Sequence, residues 1–283
     1  MEGEFEVNVN FDIIKGRENQ DRCINLKTPS IIVSGILDGN GIRGDDVVTR
    51  CREFLKNHLS KLTVINANSL TNLISMCDEY VCKFPEAKRS GTTLSMAVHS
   101  RTDATTYVCN VGDSKTVVFN DDAILFESIE HKQTKSRLEL TNFKIKYFDK
   151  KSVLICDELS NAILYGCGVT LVPTSILGHS LIKLKNDILQ IDVTRLSRKM
   201  FDSKVSIISA SDGFWDVILT QNPSDWDFIV RHRRSASELA SYARTLWEEP
   251  WKVLTRSGLE YPGKHKIPES EYDDISVSLM LPN

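Results

Sequence analysis

The sequence predicts an α+β sandwich, and three observations carry that prediction. Short β-branched runs crowd the middle of the chain, helical periodicity is confined to two blocks, and the order of elements departs from a regular βαβ alternation. The run "IIVSGIL" reads as a strand. From Asp45 to Leu62, apolar residues at Val48, Cys51, Leu55, Leu59 and Leu62 have amphipathic-helix spacing, and Leu70, Leu73, Cys77, Val81 and Phe84 repeat it. After Pro85 the pattern switches to "TTLSMAVHS", "TTYVCNVG" and "KTVVFN", with Gly-Asp and Asp-Asp turn signals, and then to "SVLICD", "VSIISAS" and "ISVSLML". A late helix is expected in "RHRRSASELASYARTLWEEP", with Ser235 and Glu238 as a capping box, Leu239, Tyr242, Ala243 and Leu246 on its apolar face and Pro250 beyond its end.

No repeat, low-complexity tract or Gly/Ser/Pro linker divides the chain, so one domain over residues 1–283 is expected. With 41% hydrophobic and 26% charged residues, the composition is that of a globular protein able to bury a core. A net charge of −3 supplies no general field for nucleic acid or an anionic membrane. The apolar runs are too short to span a bilayer, and the acidic start "MEGEFEVNVN" is unlike a signal peptide. Seven scattered cysteines without a Cys-x-x-Cys pair read as small buried hydrophobes in a reducing compartment, cytoplasmic or nuclear, rather than as a zinc site.

The stretch "SGILDGNGIRGDD" raises the question of chemistry. Gly39, Gly41 and Gly44 fit a dinucleotide-binding Gly-x-Gly-x-x-Gly, but that site needs an acidic residue closing a second strand about twenty residues on, and "HLSKLTVINANSL" offers Asn. A calcium loop counted from Asp38 fails at its fifth, sixth and twelfth positions, which are Ile42, Arg43 and Thr49. The third possibility is a metal corner assembled from distant strand ends. Asp21 precedes a strand, Asp113 sits in a tight turn, Asp212 ends an apolar run and Asp273 and Asp274 start another. One turn aspartate is ordinary. Five acidic strand ends, two of them followed by glycine, point to a hard cation such as Mg²⁺ or Mn²⁺.

These motifs, in this order, resemble the metal-dependent serine/threonine protein phosphatases of type 2C, the PPM family. The likeness runs through "NQD" at 19–21, "LDGNGIRG", "SGTTLSMAV", "VCNVGDSKTVV", "EHKQTKSRLEL", "SASDGFWDVI" and "DDISV". The resemblance implies an α-β-β-α sandwich of two antiparallel sheets flanked by helices, with the metals at one edge. It also implies hydrolysis of phosphoserine or phosphothreonine in a protein substrate by a hydroxide shared between two Mg²⁺ or Mn²⁺ ions, and a monomeric enzyme. By position, Asp38 would bridge the two ions, the Gly39 carbonyl would bind one, and Asp212 and Asp273 would complete the other. Asp21 would act through ordered water, and Asp113 matches the aspartate of a weaker third ion.

The chain departs from the family at four places. The histidine after Asp-Gly, the expected proton donor to the leaving oxygen, is Asn40, and the acidic neighbour of Asp21 is Gln20. The Arg-Ala-Leu-Gly-Asp segment is "SILGH", with Ser175 for Arg and His179 for Asp. Arg17, a candidate phosphate ligand, lies four residues before Asp21 where five is usual. Two possibilities therefore stand: a phosphatase of low or selective activity, with Asn40 and Arg17 at the reacting group, and a phosphatase-like protein-binding module. His179 and His131 are the candidates to replace the missing acid.

Overall fold

The computed structural model describes residues 5–12, 19–132, 153–155, 163–165, 169–183, 189–196, 205–254, 264–266 and 272–282. Two five-stranded antiparallel sheets dominate it. The first runs, edge to edge, Phe5–Asp12, Ile275–Pro282, Ser206–Ala210, Lys115–Phe119 and Ile124–Glu127; the second runs Asp192–Leu196, Thr105–Val111, Leu94–Ser100, Ile31–Leu37 and Arg22–Lys27. The expected strands "IIVSGIL", "TTLSMAVHS", "TTYVCNVG", "KTVVFN", "VSIISAS" and "ISVSLML" are thus present, with ends shifted by a residue or two. A short parallel pair, Val153–Ile155 beside Lys252–Leu254, stands apart from both sheets.

Strand alternation explains the layering. In the strand Ile31–Leu37, Ile31, Val33 and Leu37 face one way and pack on the helices Gly44–Leu59 and Ala67–Val81 through Val48, Cys51, Leu55, Leu70 and Cys77. In the strand Ile275–Pro282, Ile275, Val277 and Leu279 pack on the helix Ala236–Glu248 through Leu239, Ala240 and Ala243. The opposite faces of the two sheets meet each other through Ile32, Ala97, Val108, Val118, Ile207 and Met280. This is the α-β-β-α arrangement.

The layer between the sheets is only partly apolar. Ser34 and Ser278 share a hydrogen bond at 2.6 Å, and a chain of hydroxyls links Ser95 to Thr116 (2.8 Å) and Thr116 to Ser209 (2.7 Å). Thr93 and Ser114 add a further pair at 2.6 Å. All of these groups are buried. Each hydroxyl can donate and accept, so the polar layer satisfies itself without water. Ser209 of "VSIISAS" and Ser278 of "ISVSLML" belong to this layer.

The helices differ from expectation at several places, and the second ends at Val81, so Phe84 lies beyond it. The first helix ends at Leu59, and Leu62 only packs against its core from beyond the end. The basic run also does not belong to one late helix. Arg231 and His232 close a separate helix, Pro223–His232, started by Asn222, whose side chain accepts the Ser224 N–H at 3.1 Å, with proline at the first helical position. At the next helix the Ser235 hydroxyl accepts the Glu238 N–H (3.2 Å), but the Glu238 carboxylate bonds His232 Nδ1 (3.1 Å), so only half of the expected capping box forms. Cys51, Cys77 and Cys109 are buried, whereas Cys23 and Cys82 are partly exposed; Cys156 and Cys167 lie outside the described residues. Among the described residues, no helix is long and apolar enough to cross a membrane.

Candidate metal centre

Five strand ends bring their carboxylates into one another's field. Asp38 follows the strand Ile31–Leu37, Asp21 precedes Arg22–Lys27, Asp212 follows Ser206–Ala210 at the start of a one-turn helix, and Asp273 precedes Ile275–Pro282. Asp113 occupies the turn between Thr105–Val111 and Lys115–Phe119, made by Gly112 in the left-handed region (φ +96°). His131 braces that turn: its Nδ1 accepts the Gly112 N–H (3.2 Å), and its Nε2 lies 2.9 Å from Asp192 Oδ2.

The electrostatics are those of crowded like charges. Burial, followed by the charges of Asp212, Asp21, Asp273 and Asp113, pushes Asp38 well above the carboxylate range. Burial first and Asp216 next push Asp212 up to about 6, while Asp38 lies within hydrogen-bonding reach of it. Both keep some open surface. Asp113, almost fully buried, is raised by burial and by Asp212. Asp273 is also raised, but it opens to solvent, which screens it.

Asp21 is the most constrained member. It is 1% exposed, and burial pushes it up to about 8 even though the Ser276 and Ser211 hydroxyls face it. The Ser211 hydroxyl is spent on the Asp274 carbonyl (3.2 Å), and Asp21 Oδ2 has no hydrogen-bond partner among the described residues. A buried, unpartnered carboxylate oxygen beside four other hard-oxygen donors is a fit for a divalent cation or its hydration water. No three His, Cys, Asp or Glu side chains among the described residues close into a cage by themselves.

The other sequence candidates fall as follows. Gly39 lies in a two-residue strand where a Cβ would strike the Gln20 carbonyl and Val48 Cγ2, each at 2.7 Å. Gln20 turns from the carboxylates to the loop: its Nε2 donates to the Gly41 carbonyl (3.2 Å), and its N–H donates to Asp274 Oδ2 (3.0 Å). Ser175 exchanges hydrogen bonds with the Gln190 backbone, at 2.8 Å in each direction. Asn40 meets His179, whose Nε2 is 2.6 Å from Asn40 Oδ1. Burial lowers His179 to about 4, so its ring is neutral at neutral pH. Arg17 lies outside the described residues.

Two residues without an assigned role belong to this edge. Asp216 raises Asp212, and its N–H donates to the Asp212 carbonyl (2.7 Å), one helical turn apart. Lys132 reaches Glu130 (2.8 Å) and Asp216 (3.5 Å) and offsets part of the charge on Asp113. The i, i+4 spacing of Asp212 and Asp216 was the available signal for the first, and the second lies in the "EHKQTKSRLEL" run that carries part of the likeness.

No family model matches this sequence, and no curated protein matches it. Solved structures do. The serine/threonine phosphatase Stp1 from Staphylococcus aureus is 15% identical with a TM-score of 0.63, over 99% of this chain and 94% of that one. The PPM Ser-Thr phosphatase MsPP from Mycobacterium smegmatis, solved with cacodylate, is 16% identical with a TM-score of 0.57, over 97% of each chain. RsbX, solved in complex with magnesium, is 11% identical with a TM-score of 0.55, over 100% of this chain and 97% of that one. The chain therefore has the fold of the PPM phosphatases, as the motif order implies.

The basic run is predicted to be dispensable. Arg231 pairs with Asp227 (2.5 Å) and Arg233 with Asp121, neither of them a member of the carboxylate cluster. Replacing Arg231, Arg233 and Arg234 with Gln should leave aryl phosphate turnover within about twofold, because no contact to the reacting group is removed. A larger loss in a folded variant would place the reaction elsewhere.

Proposed function

We propose that residues 1–283 act as one catalytic domain, a monomeric metal-dependent protein phosphatase acting on phosphoserine or phosphothreonine. The observation that carries this reading is the convergence of Asp21, Asp38, Asp113, Asp212 and Asp273 at one edge of a PPM-type sandwich. Bound Mg²⁺ or Mn²⁺ would lower the pKa of a water and neutralise charge on the phosphoryl oxygens. Asp38, Asp212, Asp273 and the Gly39 carbonyl are the donors assigned to two ions, with Asp113 beside a weaker third. Asp21 orients water from its buried oxygen. Asn40 donates a hydrogen bond to the phosphoryl group but no proton, and Arg17 is the assigned phosphate ligand. The test is hydrolysis of p-nitrophenyl phosphate in Mn²⁺, with Asp212→Asn as the control. Activity that survives Asp212→Asn unchanged contradicts the assignment.

The raised carboxylates predict a pH dependence with a definite sign. Asp21 and Asp212 shift from an ordinary value of 3.8 to about 8 and about 6, so the metal-free native state binds protons more tightly than the unfolded chain. Their contribution to stability is complete below about pH 4 and is lost as the pH rises through 6 to 8. The melting temperature of the metal-free protein should therefore fall between pH 5 and 8. Mn²⁺ at ~100 times its Kd should restore about 2.7 kcal/mol, and a fixed Mn²⁺ concentration should stabilise more at the higher pH, where the carboxylates ionise. A melting temperature that rises over this range without metal would contradict the cluster.

A further inference from the structure

Two departures from the family pattern, at positions 40 and 179, are a single contact. They are 139 residues apart in sequence, yet His179 Nε2 lies 2.6 Å from Asn40 Oδ1. A miniature three-stranded sheet brings them together. Gly39–Asn40 and Leu177–Gly178 flank Gly91–Thr92, so Asn40 and Gly178 both lie opposite Gly91. A Cβ at Gly91 would strike the Leu177 carbonyl and would come within 2.6 Å of His179 Cδ2, so only glycine leaves the ring room to cross to Asn40. His179 itself adopts φ +47°, with its N–H on the Ser90 carbonyl (2.9 Å). Asp78 Oδ1 clamps the segment to the helix Ala67–Val81 by accepting the Gly178 N–H (2.8 Å) and the Lys183 ammonium.

The contact fixes the hydrogens. Asn40 Oδ1 only accepts, so Nε2 of His179 carries the proton and Nδ1 is left as a bare acceptor. Nδ1 is buried without a partner among the described residues. The reverse arrangement, with the Asn40 amide donating to Nε2, would bury an orphaned N–H at Nδ1, the costlier of the two. We propose that His179 is a positioning residue for the reaction. It ties back the Asn40 oxygen so that the Asn40 NH₂ group faces the carboxylate edge and donates to a phosphoryl or leaving-group oxygen. Asn40 and His179 thus form a neutral unit that replaces the family's histidine and aspartate together. The exchange adds no charge to an edge already crowded with carboxylates.

This inference rests on the phosphatase reading, and one set of measurements separates the two. Steady-state kinetics with p-nitrophenyl phosphate in Mn²⁺ would compare wild type, His179→Ala, His179→Gln, Asn40→Ala and the double alanine variant. His179→Ala should lower kcat about 10- to 100-fold with KM little changed, because orientation rather than binding is lost. His179→Gln, which keeps an N–H donor, should recover most of the rate. The double variant should be no slower than Asn40→Ala, since the two residues act through one group. In the metal-free protein, imidazole ¹⁵N spectra should show Nε2 protonated and should shift in Asn40→Ala. Mn²⁺ affinity by calorimetry should stay within about twofold in His179→Ala, which separates positioning from loss of the metal edge. An active wild type with His179→Ala unchanged, or losses that multiply in the double variant, would overturn the positioning role alone. A wild type that turns over no phosphoester would overturn the phosphatase reading, and this role with it.

Discussion

Asp38→Asn should abolish phosphoester hydrolysis while making the metal-free protein more stable. Asp38 is pushed up by burial and by four neighbouring aspartates, so its charge opposes every other member of the cluster. Removing it in Mn²⁺ should lower p-nitrophenyl phosphate turnover by about 10³-fold or more, roughly 4 kcal/mol of transition-state stabilisation. Without metal the same change relieves an unfavourable charge, worth about 1–3 kcal/mol, and should raise the melting temperature by a few degrees. Thermal shift with and without Mn²⁺, beside initial rates, reads both signs. A variant less stable in both conditions would mean that Asp38 is a structural residue.

Asn40→His should separate substrates by leaving group. A general acid contributes about 10²–10⁴-fold only where the departing oxygen needs a proton. Nitrophenolate leaves without one, whereas a serine or threonine alkoxide does not. Wild type should therefore turn over p-nitrophenyl phosphate and act slowly on phosphothreonine peptides, and the substitution should raise the peptide rate at least about tenfold with little aryl gain. The contact with His179 adds a second expectation. Placed opposite a neutral imidazole, the new histidine lacks a charge to hold its proton, so Asn40→His with His179→Asp should gain more than the single change. Equal gains on both substrates would mean that position 40 acts in binding alone.

The fold was legible because its strands keep a strict alternation: every second residue of "ISVSLML" meets the helices, and the serines between them meet the other sheet. The carboxylates stood out in the sequence too, because each lies beside a strand and Asp38 and Asp212 follow apolar runs. Other features left weaker marks. The helix Pro223–His232 was masked by the basic run at its end, although Asn222-Pro223 is a start signal. The pairing of Asn40 with His179 depends on two-residue strands, too short for any periodicity, crossing at a glycine. Lys132 lies in the quoted "EHKQTKSRLEL" run, but no spacing links it to Asp216 or Asp113.

The most direct measurement of the central claim is anomalous scattering from Mn²⁺ in crystals of the wild-type protein. The account predicts two peaks sharing Asp38, one of them within about 2.5 Å of Asp212 and Asp273 oxygens, and both missing in the Asp38→Asn protein. Diffraction from Mn²⁺-soaked wild type with no peak at this edge, or with peaks elsewhere that survive Asp38→Asn, would contradict it.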